Sequence, residues 1–201
     1  VSLAIGMEMF AADSQPQLDR WTRGELDAEQ MRELYRRDWN MPWYLYRDIL
    51  LYARSHHIPV IGLNVPRDIS RKVAQEGFSA LSEAERKRLP DGVTCSVDPA
   101  YREFIAQAFA AHVHSEASFL HFCEAQMLWN RGMALNLQRF MARSPGRTVV
   151  VLTGTGHAMR RGMPEEFAQA TGYSYTVLLP ETPELDRTTA TTADADYLLL
   201  P

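Results

Sequence analysis

Three polar residues sit at the ends of apolar runs, where chemistry rather than packing would explain them: Glu8, Asn64 and His157. Glu8 is flanked by Met7, Met9 and Phe10. A carboxylate in such surroundings is costly unless it is paired or bound to a cation. One reading is an ion pair with Arg67 that holds a loop; the other is a site. His157 closes a Gly154-Thr155-Gly156-His157 turn, in which glycines permit a tight bend and close approach of backbone to a ligand. A dinucleotide-binding loop is set aside, because Met159 stands where a third glycine belongs and the turn follows the third strand rather than the first. The alternative is a histidine that caps loop carbonyls. Brought together, Glu8 and His157 could hold or activate a water, with Asn64 and Arg67 beside them.

The remaining histidines are less specific. His112 and His114 form an i, i+2 pair of the kind that binds metal or is merely solvated. His56 and His57 end a helix, where an imidazolium suits the dipole, and His121 reads as a packing histidine. Trp39, Trp43, Tyr44, Tyr46 and Trp129 form an aromatic set that is partly core. The Trp39–Trp43 stretch precedes a helix and would offer stacking surface to a planar apolar ligand. Cys95 and Cys123 match no zinc spacing and are read as two free thiols.

The elements that must position these residues are readable. The runs 1–8, 58–64 and 147–154 are continuously apolar, as strands covered on both faces of a parallel sheet are. Runs 173–180 and 195–201 add a fourth and a weaker fifth. Helix starts are expected at Ser14-Gln15-Pro16-Gln17, at Ser82-Glu83-Ala84-Glu85 and at Pro42, and a long helix over 115–143. Residues 90–99 read as a loop. About 80 residues separate the second and third strands, far more than one crossover helix needs. The expected fold is therefore α/β: a small, mostly parallel sheet flanked by helices, with a helical cap over about 66–145 inside a single domain spanning 1–201. If the strands are parallel, Glu8, Asn64, Arg67 and His157 meet outside their carboxyl ends, where open α/β sheets bind ligands.

Bulk properties narrow the function classes. The chain has 201 residues, 46% hydrophobic and 23% charged, enough to fold without a metal. A net charge of −4 with no basic stripe argues against nucleic acid as partner. No apolar run approaches the ~20 residues of a membrane span. The first residues read as a strand already under way, so an N-terminal strand is expected upstream, with any signal or lipid-attachment cysteine.

GMEMF (6–10), Gln15-Pro16-x-Leu18, Trp43-x-x-Tyr46-Arg47, IPVIGLNVPR (58–67), Gln126-x-x-Trp129-x-x-x-Met133-Ala134, VVVLTGTGH (149–157) and the final ADYLLLP resemble the ChaN-like haem-binding uptake family. That family sits in a superfamily with Tiki proteases, TraB-like proteins and erythromycin-esterase-like enzymes. The resemblance implies a haem-binding protein of bacterial iron uptake. Tyr44 or Tyr46 would be candidate iron ligands, with Trp43, Asn64, Arg67 and His157 around the haem. It further implies a homodimer and a periplasmic or outer-membrane-attached lipoprotein, held to the membrane only by a lipid anchor outside this sequence. The alternative is a hydrolase, with Glu8 and His157 catalytic, with or without a divalent metal. Relatives of that kind carry a Gly-Glu-x-His element upstream that this sequence lacks.

Overall fold

The computed structural model describes residues 2–90, 92–110, 116–183 and 185–201, with the side chains of 116–118 excepted. It is α/β with a small parallel sheet flanked by helices, as the apolar runs require. The central strand β1 (Leu3–Ala11) pairs in parallel with β2 (Val60–Asn64) on one side and β3 (Thr148–Leu152) on the other. Ile5 lies opposite both Val60 and Val150. The carboxyl ends of all three strands share one edge. Between Met7 and Ala11 the β1–β2 register slips, so that Ala11 pairs with Asn64, and the irregular stretch is the one that carries Glu8.

Close approach dictates two residues here. A Cβ on Gly62 would stand 2.4 Å from the Ala11 carbonyl oxygen, and one on Gly6 would stand 2.8 Å from Leu63 Cδ1. The outer side of β2 is met by a side chain. Gln15 Nε2 donates to the Val60 carbonyl at 2.9 Å and Gln15 Oε1 accepts from the Gly62 N–H at 3.0 Å. One amide side chain thus supplies the donor and acceptor that a neighbouring peptide would.

Helix starts follow sequence chemistry in part. Ser82 and Glu85 form the expected capping box of α5 (Glu83–Arg86). Asp27 and Gln30 form a second one, at the start of α2 (Ala28–Asp38). Ser14 does not cap α1 (Gln15–Thr22) with its side chain, contrary to expectation. A 3-10 turn at Ala12–Ser14 leads straight into the helix and leaves Ser14 in helical rather than extended backbone. Its hydroxyl instead donates to Asp38 Oδ2 and accepts from Arg37 Nη2 at 2.7 Å. The Ala11 N–H also donates to Asp38 Oδ2, at 3.3 Å. The helix expected from Pro42 is a 3-10 turn at Trp43–Leu45 followed by α3 (Arg47–Ser55), which places the aromatic segment in a turn.

Two compact units result. The first comprises Val1–Arg67 and Asn136–Thr153 and holds the three-stranded sheet. Its core gathers Met7, Phe10, Leu18, Trp21, Met31, Tyr35 and Leu50, all fully buried. The second comprises Asp68–Leu135 and Gly154–Pro201. It contains α4 (Arg67–Glu76) from Asp68 onward, α6 (Pro99–Ala110), most of α7 (Glu116–Arg143), α8 (Thr155–Ala158) and α9 (Met163–Thr171). The fourth and fifth apolar runs shorten to β4 (Leu178–Pro180) and β5 (Tyr197–Leu199), which pair with each other in parallel rather than extend the first sheet. The core of this unit is built on Tyr101, Ile105, Met127, Met159 and Leu179.

The cysteines are not free thiols. Cys95, in the 92–98 loop, forms a disulfide with Cys123 on α7, their Cα atoms 5.5 Å apart. Among the described residues no helix is long and apolar enough to cross a membrane.

Candidate functional site

In the first unit the sheet edge collects polar side chains around Glu8, which is only 7% exposed. Thr153, just beyond β3, donates its hydroxyl to Glu8 Oε2 at 2.5 Å. Asn64 ends β2 and spends its amide on the backbone: Nδ2 donates to the Glu8 carbonyl at 3.0 Å and Oδ1 accepts from the Val65 N–H at 2.8 Å. Asn136 on α7 similarly donates to the Leu63 carbonyl. Asn64 therefore fixes the strand end that presents Glu8. Arg67 donates to the Arg37 carbonyl at 3.3 Å.

The aromatic segment builds a cleft in the same unit. Arg32, Arg36, Trp39, Met41, Trp43 and Tyr44 line an open volume of about 530 Å³, within the range of small-molecule sites. The turn at 43–45 leaves Tyr44 67% exposed, while Trp43 packs edge-on against Tyr35 at 5.3 Å. Trp39 Nε1 is buried without a hydrogen-bond partner at the wall of the cleft. Arg32 and Arg36 are one helical turn apart on α2 and reach its rim, the Arg32 guanidinium paired with Glu29 at 2.5 Å. Tyr46 lies behind, half-buried; burial, and secondarily the Glu8 carboxylate, push its phenol above the ordinary value.

In the second unit His157 is 7% exposed on the short helix α8. Its Nδ1 lies 2.7 Å from Asn130 Oδ1. Asn130 Nδ2 lies 2.9 Å from the Tyr101 hydroxyl, and that hydroxyl lies 2.9 Å from the Gly156 carbonyl. Trp129 sets its ring edge-to-face against the imidazole at 5.7 Å. Burial pushes the Tyr101 phenol up to about 12.

Each unit thus holds part of the expected set. Glu8, Asn64, Arg67, Trp43, Tyr44 and Tyr46 belong to the first, and His157 to the second. Sequence reasoning missed Thr153, Arg32, Arg36, Tyr101 and the bonding of Asn130. Only the arginine pair carried a signal, its i, i+4 spacing ahead of Trp39. Among the described residues no three His, Cys, Asp or Glu side chains come together as metal donors, so the expected divalent metal gains no support. His112 and His114 lie outside the described residues.

The parallel sheet with polar residues at its carboxyl edge defines an α/β protein of the kind that carries ligands there. The family model described as haem-binding uptake, Tiki superfamily, ChaN matches residues 1–167, and the chain belongs to that family. The solved structure of ChaN of Campylobacter jejuni, described by its cofacial haem binding, superposes with a TM-score of 0.70 at 17% identity. The match covers 98% of this chain and 73% of that one and bears on the fold. An erythromycin esterase variant in its open conformation matches with a TM-score of 0.47 at 13% identity, over 88% of this chain and 62% of that one. The RETICULATA-RELATED 5 protein of Arabidopsis thaliana, chloroplastic, is 33% identical over 86 residues. That stretch is 42% of this chain and only 12% of the plant protein.

Proposed function

We propose that this chain binds haem in the cleft between α2 and the 43–45 turn, with Tyr44 as the iron ligand. The observation that carries this reading is the grouping of an exposed phenol, two tryptophans and two arginines around one open volume. The residues fit the group. A phenolate suits ferric iron, planar indoles stack on a macrocycle, and guanidinium forks pair with propionate carboxylates. The orphaned Trp39 N–H offers a further donor. Bound haem would supply an iron centre. The chain's own part is to stack on it, pair its carboxylates and offer one oxygen ligand. Tyr46 is the poorer ligand of the two, since burial and Glu8 both oppose loss of its proton.

Haemin titration followed by absorbance tests the assignment. Tyr44→Phe is expected to shift the Soret band and weaken binding at least tenfold, and Tyr46→Phe to leave the spectrum as it was. An unchanged spectrum in Tyr44→Phe would overturn it.

The same reading extends to a role in bacterial iron uptake, as a lipoprotein of the cell envelope. A disulfide supports that location, because such bonds persist in oxidising compartments. A cleft whose ligand residue is largely exposed leaves one haem face for a second copy, which supports a homodimer. Sedimentation with and without haemin should then show haem-dependent association.

A further inference from the structure

The two guanidinium groups of the aromatic cleft are not equivalent. Arg32 commits two donors to Glu29 Oε1, Nε at 3.2 Å and Nη2 at 2.5 Å. Arg36 is exposed and makes no hydrogen bond or ion pair among the described residues. The carboxylates near it in sequence have other places. Glu33 lines a separate hollow with Gln30, Leu34 and Arg37. Asp38 accepts from the Ala11 N–H, the Ser14 hydroxyl and Arg37. A free guanidinium presents its whole fork of donors, which matches a carboxylate through two parallel bonds. A guanidinium already held by a carboxylate must first release that partner, and the partner repels an arriving anion.

We propose that Arg36 sets the specificity of the cleft by selecting planar ligands that carry a free carboxylate, while the Glu29–Arg32 pair withholds the second cation. The inference rests on the haem reading and sharpens it. Of the two haem carboxylates, the wild-type cleft engages one. Glu29, Arg32 and Arg36 stand at i, i+3 and i+7 of α2, so they share one stripe of the helix. A carboxylate that reaches Arg36 therefore meets Glu29 two turns away on the same face. Trp39, Met41, Pro42 and Trp43 bring mostly apolar surface to the lining, so recognition of an anionic group falls to Arg36. Glu29 acts as an internal competitor, occupying the fork that a second ligand carboxylate would need.

Haemin and its dimethyl ester differ in their free carboxylates, and both can be titrated by absorbance in the same non-ionic detergent. The wild-type protein is expected to bind haemin about fivefold more tightly than the ester, the size of one exposed charge pair. Arg36→Gln should close that gap. Glu29→Gln should widen it by about a further threefold, because Arg32 is released. Adding Arg32→Gln to Glu29→Gln should take that gain away. Equal binding of haemin and ester by the wild-type protein overturns the proposal and leaves the haem reading intact. A gap that survives Arg36→Gln, or one that Glu29→Gln leaves unchanged, overturns it as well. Failure of the wild-type protein to bind either compound removes the haem reading, and this inference with it.

Discussion

Tyr35 is a phenol sealed in the core of the first unit, fully buried and with no hydrogen-bond partner for its hydroxyl. Burial, and secondarily the Tyr46 phenol, push it up to about 12 from 10.0. Its folded pKa thus lies above its unfolded one, so the stability it contributes is full below pH 10 and is lost as pH rises toward 12. Tyr35→Phe should flatten the alkaline fall in unfolding free energy by about 2–3 kcal/mol across that window. At neutral pH it should cost nothing, because an unsatisfied hydroxyl is removed. Urea unfolding at several pH values measures both. At this scale the sequence was readable where a residue type clashed with its neighbours. Glu8 among methionines announced a partner, and the Thr153 hydroxyl is one. Thr153 itself did not stand out, because threonine is ordinary in strands. Tyr101 and Asn130 stand 29 residues apart, and nothing local signals that they bond.

Elements are tied to one another by side chains that the helix and strand patterns do not show. Asp38 joins the end of β1 to the end of α2, accepting from the Ala11 N–H and the Ser14 hydroxyl while pairing with Arg37. Ser14 is fully buried and the Asp38 side chain is 7% exposed. Asp38→Ala strands two buried donors and should lower stability by about 2–3 kcal/mol. Asp38→Asn, which keeps one acceptor oxygen, should lose less; urea midpoints decide. The capping signature at Ser82 was correct because its serine is extended and exposed, free to serve its own helix. The same signature at Ser14 misled, because a distant carboxylate competed for that hydroxyl and won. Likewise the aromatics after Pro42 fit a helical period, yet a 3-10 turn carries them and opens the cleft.

For the molecule as a whole, continuous apolar runs and a long interval between them were enough to expect a parallel sheet with heavy helical cover. They could not show that the last two strands form a pair of their own, since pairing partners are chosen by three-dimensional proximity. Nor could they show the disulfide, whose sulfurs meet only because the 92–98 loop passes α7. It closes a separation of 28 residues, and cross-linking a loop of that length stabilises by about 3–4 kcal/mol in the chain-entropy account. Reduction, or a Cys95→Ser, Cys123→Ser double variant, should lower the unfolding free energy by about that amount. Loss of less than ~1 kcal/mol would show that the bond is not a stabilising one.

Gln15, whose amide occupies the outer rim of β2, bears on how the protein behaves when crowded. An uncovered strand rim templates the addition of foreign strands and seeds fibrils. By engaging one N–H and one carbonyl there, Gln15 denies an incoming chain its first two bonds. A residue inside one of the family-like motifs thus serves colloidal safety rather than ligand recognition.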